Sequence, residues 1–240
     1  MKPLINKYFQ THPFSKIGLL AIPMLALVII MEFYFPKVNP EGFQSFIVAF
    51  EFAKTPNQIH QLLNELDANT LKNINIGNYI DFGFMIAYTL FLVLFFKKAA
   101  KTFNKNWLLA GIPLSVIVLI ADVIENILLF QITAMYSATI ADADLIAVLN
   151  KLHAATWIKW GGLAIIFALF SVKSFGKKIL THIEGIVFVF PLLFVFWAIS
   201  NDPIGVTRFT LSIALAFFLL LFYCFWQKTK RIEKLKKKFS

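Results

Sequence analysis

The sequence predicts an all-α integral membrane protein, a bundle of six transmembrane helices with amphipathic helices in its outer loops. Three observations predict this class. Hydrophobic residues make up 59% of the 240 residues and charged residues only 15%. The mean hydropathy is +0.73. Most of the 23 Lys and Arg residues flank long apolar runs. A soluble domain of this length has too little interior to bury so much apolar surface.

Six apolar runs have the length that a membrane-spanning helix needs, about 17–25 residues. We expect the whole chain, 1–240, to form a single membrane domain. The predicted spans are residues 17–35, 79–96, 107–135, 152–172, 179–199 and 206–226, followed by a basic tail at 228–240.

The distribution of charge predicts how the bundle is oriented. Lys and Arg concentrate before the first span, after the second and fourth spans and in the tail, whereas the other loops carry mostly Asp and Glu. Because cytoplasmic loops of membrane proteins are enriched in Lys and Arg, we expect a multi-pass protein of the inner or plasma membrane with both termini in the cytoplasm. The placement of Lys and Arg beside apolar runs also argues against nucleic acid as a partner.

The long loop between the first two spans carries two apolar stripes at helical spacing. One contains Phe43, Phe46, Ile47 and Phe50, beside the charged Glu51. The second follows Thr55-Pro56, which is typical of a helix N-cap with Pro at the first helical position. We expect two amphipathic helices in the membrane interface, as a surface connector or as a lid over the bundle.

Polar residues inside the third span are the main candidates for function. Asp122, Glu125 and Asn126 have spacings of i, i+3 and i+4, so a helix places them on one face. Ionised groups inside a bilayer are costly, about 2.5–3.5 kcal/mol each on insertion scales. In the fourth span, Lys159 has a matching depth, since both positions lie roughly 10–15 Å below the outer surface at 1.5 Å per residue. Lys159 is therefore the expected partner of Glu125 or Asp122.

Three further polar residues belong to the predicted substrate- or ion-binding set. Asp81 and Arg208 are expected at the mouth of the polar cavity, near the outer ends of the second and sixth spans, with Tyr88 in the same half. The network has an alternative interpretation as an ion-pair network that only fixes helix register.

Motifs of several enzyme classes are absent from the sequence. It contains no His-Glu-x-x-His or Glu-x-x-His pattern, no Gly-x-Ser-x-Gly elbow and no Gly-rich phosphate loop. We therefore expect no metal and no cofactor. The single cysteine, Cys224, excludes an intrachain disulfide.

Three functions remain open from the sequence. The first is a small transporter or permease-like protein for an ion, a proton-coupled substrate or a small polar substrate. The second is a membrane-embedded enzyme that acts on a lipid or isoprenoid head group, with Asp122 and Glu125 as acid and base. The third is a structural or assembly subunit. The expected partners are the lipid bilayer and a small polar or lipid ligand in the bundle; the sequence leaves the oligomeric state open.

Overall fold

A computed structural model describes residues 8–64, 66–138, 141–174 and 179–228. Across these ranges the regular secondary structure is helical and no strand occurs. The beginning of the basic leader, Lys177 and Lys178, and the basic tail from 229 onward lie outside the described residues.

Nine α-helices in the described ranges carry the argument that follows, together with one 3-10 helix at Asn106–Ala110. In chain order, the α-helices are α1 Ser15–Gly18, α2 Ala21–Met31, α3 Phe46–Glu51, α4 Pro56–Leu63, α5 Ala68–Phe103, α6 Gly111–Ser137, α7 Asp142–Ser174, α8 Ile179–Ala198 and α9 Pro203–Trp226.

Four of the helical segments are long and apolar enough to cross a membrane. They are Ala68–Phe103, Asn106–Ser137, Asp142–Val172 and Pro203–Trp226, and they contain the predicted second, third, fourth and sixth spans. The predicted first and fifth spans coincide with shorter apolar helices, Ser15–Met31 and His182–Ala198. The count of six spans therefore stays a prediction.

Proline accounts for the interruption in the first of these shorter segments. The sequence predicts one span over 17–35, but the helix breaks at Leu19–Leu20 and restarts as α2, which ends at Met31. Pro23 is the third residue of α2, where its missing N–H has no intrahelical partner in any case. Its ring would clash with the carbonyl of Leu19 in a continuous helix, so the break falls there.

The long helices pack as antiparallel neighbours. Between α5 and α6, Asn75 contacts Thr133, Asn126 contacts Asp81 and Tyr88 contacts Asp122, so residue numbers fall on one helix as they rise on the other. The outward face of α6 is apolar and the inward face carries its polar residues. Exposed positions on this helix are Ile117, Ile120, Ile124 and Ile127. Apolar residues outside and polar residues inside are expected of a helix that faces lipid.

Two apolar cores divide the interior along the bundle. One lies toward the chain termini and contains an aromatic group that includes Phe14, Phe95, Phe170 and Tyr223. The other lies toward the long loop and contains Phe50, Ile59, Leu63, Ile132 and Leu149. On α6 and α7, the polar residues fall between the segments that contribute to these two cores.

The long loop forms the two helices that the sequence predicts, but the first of them, α3, is buried and does not lie on the surface. The predicted N-cap of α4 is confirmed: the Thr55 side chain accepts from the Gln58 N–H, and Pro56 is the first helical residue. The interpretation of the first helix as a surface connector is wrong. In α3, Phe46, Val48, Ala49, Phe50 and Glu51 are all buried. Its apolar side chains complete the core near the long loop, and they carry Glu51 inward.

Candidate functional site

Lys159 is the centre of a buried ion-pair network that joins three helices. Its ammonium group lies 3.0 Å from Oε1 of Glu51 and 2.9 Å from Oδ1 of Asp122, and it also pairs with Oε2 of Glu125. These four residues, here called the Lys159 cluster, come from α7, α3 and α6. Lys159 is only 7% exposed. The pairing of Lys159 with Asp122 and Glu125 that the matching depths predict is present.

The face of α7 that carries Lys159 also carries two hydrogen-bond donors for the same acids. Thr156, Lys159 and Trp160 share one helix face because they are spaced i, i+3 and i+4. The Thr156 hydroxyl donates to Oε1 of Glu125 at 2.5 Å. Trp160 Nε1 donates to Oε2 of Glu51 at 2.9 Å. Both acids thus receive a neutral donor as well as the ammonium group, as buried carboxylates require.

Helix α5 adds a second group of polar contacts. The Tyr88 hydroxyl donates to Oδ2 of Asp122 at 2.6 Å. Asn126 donates from Nδ2 to Oδ2 of Asp81 at 2.9 Å and to the backbone oxygen of Asn78 at 3.1 Å. Asp81 is not among the ion-pair partners of Lys159 in the described part of the chain. Its hydrogen-bond partner is the Asn126 amide.

A cavity of about 480 Å³ lies against this network. Its polar end is lined by Glu51, Asp81, Asp122, Asn126 and Lys159, with Tyr88 beside them. The remaining wall is largely apolar and comes mainly from α2, α5 and α9, including Leu25, Val28, Phe84, Phe217, Phe218 and Leu221. Leu25 and Phe218 are 56% and 68% exposed, so the cavity extends to the outer surface of the bundle. Volumes of about 300–1,000 Å³ are usual for small-molecule sites.

The structure brings together six of the seven residues that the sequence singles out. Asp81, Tyr88, Asp122, Asn126 and Lys159 line the cavity. Glu125 belongs to the Lys159 cluster, but it is completely buried. Contrary to the expectation, it does not line the cavity.

The expected position of Arg208 at the mouth of the cavity is wrong. Its side chain is exposed, and it is not part of the cavity lining. The physical reason is helical phase. The wall from α9 begins at Thr210 and continues through Ile213, Ala214 and Phe217. Arg208 precedes Thr210 by two residues, which turns it about 200° away from that face at 3.6 residues per turn.

Glu51 is the principal site residue that sequence reasoning missed. The sequence pattern indicates only a charged residue beside an apolar stripe in the long loop. A usable signal was present: from Phe46 to Ala53, Glu51 is the only charged residue in an otherwise apolar stretch. A helix that is apolar on all sides is normally buried. Thr156 and Trp160 were also missed, although both share the helix face of Lys159.

This region contains more carboxyl groups than cationic groups. Glu51, Asp81, Asp122 and Glu125 supply four carboxyl groups, and Lys159 supplies one ammonium group. Uncompensated buried charge costs several kcal/mol per ion. The site is thus suited to take up protons or a positively charged ligand. Within the described ranges, no group of three or more His, Cys, Asp or Glu side chains is arranged to hold a metal ion.

Fold and site together define a helical bundle of membrane-spanning character with a buried ion-pair network beside an amphipathic cavity. Comparison with protein-family models, with curated proteins and with solved structures found no match to this chain. The functional argument therefore depends on the residues and their geometry.

Proposed function

We propose that this protein is a small transporter or permease-like protein whose substrate occupies the cavity beside Lys159. The observation that carries the proposal is the polar end of that cavity, where Asp81, Asp122 and Lys159 face a space of about 480 Å³. Ionisable groups inside membrane helices commonly mark substrate, ion or proton pathways. A network that served packing alone would not need an adjoining cavity.

The imbalance of charge supports coupling to protons or cations. With four carboxyl groups and one ammonium group, the site gains stability when a proton or a cationic substrate enters. Release of either would leave negative charge that Lys159 alone does not neutralise. Uptake of a cationic substrate, or of a neutral substrate together with a proton, at these carboxyl groups is the simplest mechanism that this arrangement supports, and both move net charge.

The membrane arrangement that accompanies the proposal has six spans and both termini in the cytoplasm. Its support is the placement of Lys and Arg beside the apolar runs. In that orientation, α3 and the Lys159 cluster lie in the outer half of the bundle, and substrate would enter from the outer side or from the outer leaflet.

Charge movement in proteoliposomes tests the transport proposal. The protein would be reconstituted on a supported membrane and exposed to a pH jump, to Na⁺ and to panels of small amines, amino acids and carboxylic acids. We expect a current with at least one of these, and we expect Asp122→Asn to abolish it. Asp144→Asn provides the matched control because Asp144 is exposed on the first turn of α7.

Two results would contradict the proposal. One is the absence of current for the whole panel in wild-type proteoliposomes that contain correctly folded protein. The other is an unchanged current in Asp122→Asn when that variant elutes as a single species.

A membrane-embedded enzyme for a lipid or isoprenoid head group is the second candidate. The apolar wall formed by Leu25, Phe217 and Phe218 favours it, because this surface suits a hydrocarbon chain. An anionic head group fits less well, since Lys159 already contacts three carboxylates and Arg208 lies outside the cavity. Incubation with membrane lipid extract, followed by mass spectrometry, tests this candidate: a product that forms with wild type and not with Asp122→Asn would favour it over transport.

A further inference from the structure

We propose that the ligand of this cavity is an amphipathic amine, with an ammonium group on Asp81 and an apolar chain along α2 and α9. The inference depends on the proposed function only in placing a ligand in the cavity. It adds the chemical class of that ligand, which three independent features of the site determine.

The first feature is the position of Asp81. It lines the cavity, and its carboxylate is outside the set of three that surround Lys159. Its contact with Asn126 is a hydrogen bond from a neutral amide. Lys159 acts on Asp81 only from beyond ion-pair distance, and a carboxylate next to an apolar cavity without a directly paired cation attracts a positively charged group. Lys159 cannot serve an anionic ligand without giving up one of its present partners.

The second feature is a pair of polar atoms without partners. Asn78 is 1% exposed and lines the cavity, and its Nδ2 has no hydrogen-bond partner in the described part of the chain. Gln44 lines the cavity as well, and its Oε1 is likewise buried without a partner among the described residues. Buried donors and acceptors are normally paired, so these two atoms favour a ligand that carries polar groups.

Together these atoms specify the chemistry of a head group. Asp81 and Gln44 Oε1 accept hydrogen bonds, as an ammonium group requires, because it has donors only. Asn78 Nδ2 donates, so it needs an acceptor next to the ammonium group. A hydroxyl on the adjacent carbon supplies that acceptor. An amine with a neighbouring hydroxyl group therefore carries the donors and the acceptor that match these three side chains.

The third feature is the apolar remainder of the cavity. Leu25 and Val28 on α2 and Phe217, Phe218 and Leu221 on α9 form a wall that reaches the outer surface of the bundle. An alkyl chain on this wall is removed from water along its length, which favours binding. The ligand would thus be held by its charge at one end and by hydrocarbon contact at the other.

Binding of three eight-carbon probes tests this inference directly. The probes are 2-amino-1-octanol, 1,2-octanediol and octanoate, which share a chain length and differ in head group. Calorimetry would be carried out on the full-length protein in phosphatidylcholine nanodiscs, with empty nanodiscs as the blank. We expect binding of 2-amino-1-octanol and at least about tenfold weaker binding of the other two, since the diol lacks the positive charge and octanoate carries the opposite one.

Two variants separate the polar and apolar parts of the site. Asp81→Asn should weaken binding of 2-amino-1-octanol by about tenfold or more, and Asp144→Asn should leave it unchanged. Ala214→Trp adds bulk at an exposed, cavity-lining position without altering a charge. It should weaken binding of the eight-carbon amine more than binding of 2-amino-1-butanol. It therefore tests the inference even if Asp81→Asn does not fold.

The outcomes distinguish this inference from the transport proposal. Preferred binding of octanoate or of the diol would overturn the inference and leave transport possible. Equal binding to wild type and Asp81→Asn would also overturn it. Binding of the amine without any charge movement in proteoliposomes would support the inference and contradict the proposed transport function. No binding of any probe would overturn the inference.

Discussion

Lys159 on α7 and Glu51 at the end of α3 are separated by 108 residues in the chain, and their charged atoms lie 3.0 Å apart inside the bundle. This contact attaches the long loop to the polar layer between the two apolar cores. It also makes Glu51 a direct neighbour of Asp122 and Glu125 around a single ammonium group. The following predictions begin from that arrangement.

Removing Lys159 should destabilise the protein far more than neutralising one of the carboxylates that pair with it. We expect Lys159→Met to lower the free energy of unfolding by about 3–5 kcal/mol, because it leaves buried carboxylates without a cation. Glu125→Gln should cost less, since Asp122 and Glu51 still contact the ammonium group. Denaturant titration of the purified protein measures both, with Lys151→Met as the control on an exposed site of the same helix.

The double variant tests whether the two residues act together. Lys159→Met with Glu125→Gln should be destabilised by less than the sum of the two single changes, because the second substitution removes one of the uncompensated acids. Strict additivity would contradict the ion-pair network. Strong coupling in stability, with transport unaffected by either substitution, would instead favour the structural or assembly role.

Tyr88→Phe should destabilise the protein by about 1.5–3 kcal/mol. The substitution keeps the buried ring and removes the hydroxyl that donates to Asp122 at 2.6 Å, and hydrogen bonds to charged groups have this magnitude. Tyr79→Phe is the matched control, because Tyr79 is 66% exposed on the same helix. Equal unfolding midpoints for the two variants would contradict the role given to Tyr88.

Substitution by Ala should have different effects on stability at two adjacent glycines of α7. A Cβ at Gly162 would lie 2.6 Å from Cγ2 of Val118 on α6, whereas a Cβ at Gly161 would meet nothing within 4 Å. We expect Gly162→Ala to cost about 1–3 kcal/mol through overpacking. Gly161→Ala should be neutral or stabilising by up to about 1 kcal/mol through helix propensity.

A further substitution identifies the cause of any loss at Gly162. Val118→Ala in the Gly162→Ala background should restore part of the stability, because it removes the side chain that the new Cβ meets. No recovery, measured by thermal unfolding in detergent, would show that the helix contact is not responsible.

The stability of the first turn of α5 should depend on the ionised form of Asp67. Its Oδ1 accepts from the Thr70 N–H at 2.7 Å, and the side-chain and backbone hydrogen bonds of Thr70 lower the pKa of Asp67. A lowered folded-state pKa means that the stabilisation is fully present above the ordinary Asp value and is lost as the pH falls through the lowered value.

Hydrogen exchange at the start of α5 measures this cap. We expect Asp67→Ala to accelerate exchange of the Thr70 amide several-fold at pH 6. Asn69→Ala, an exposed change in the same turn, should leave that amide nearly unaffected. An effect of Asp67→Ala that persisted unchanged at pH 2 would contradict a cap that depends on charge.

Much of this structure follows from one-dimensional patterns in the chain. Apolar run length predicts the long helices, because the hydrocarbon core sets a minimum length. Matching depth on antiparallel helices predicts that Lys159 meets Asp122 and Glu125, since helical rise is constant.

Other features depend on information that such patterns do not carry. Whether Arg208 faces the cavity depends on the rotation of α9 about its axis, which helix packing determines. The burial of Glu51 depends on a loop folding back into the bundle. Counting charges in loops assigns such an acid to water, although the apolar residues around it indicate otherwise.

The position of Glu51 also has a consequence for how the protein is made. The ribosome produces Glu51 long before Lys159, and the acid has no cation of the cluster to pair with until α7 has been inserted. Closing a loop of about a hundred residues is slow compared with the pairing of neighbouring helices. Docking of α3 onto the Lys159 cluster therefore requires α7 to be in place, and a nascent chain halted before α7 would leave Glu51 without its ion-pair partner.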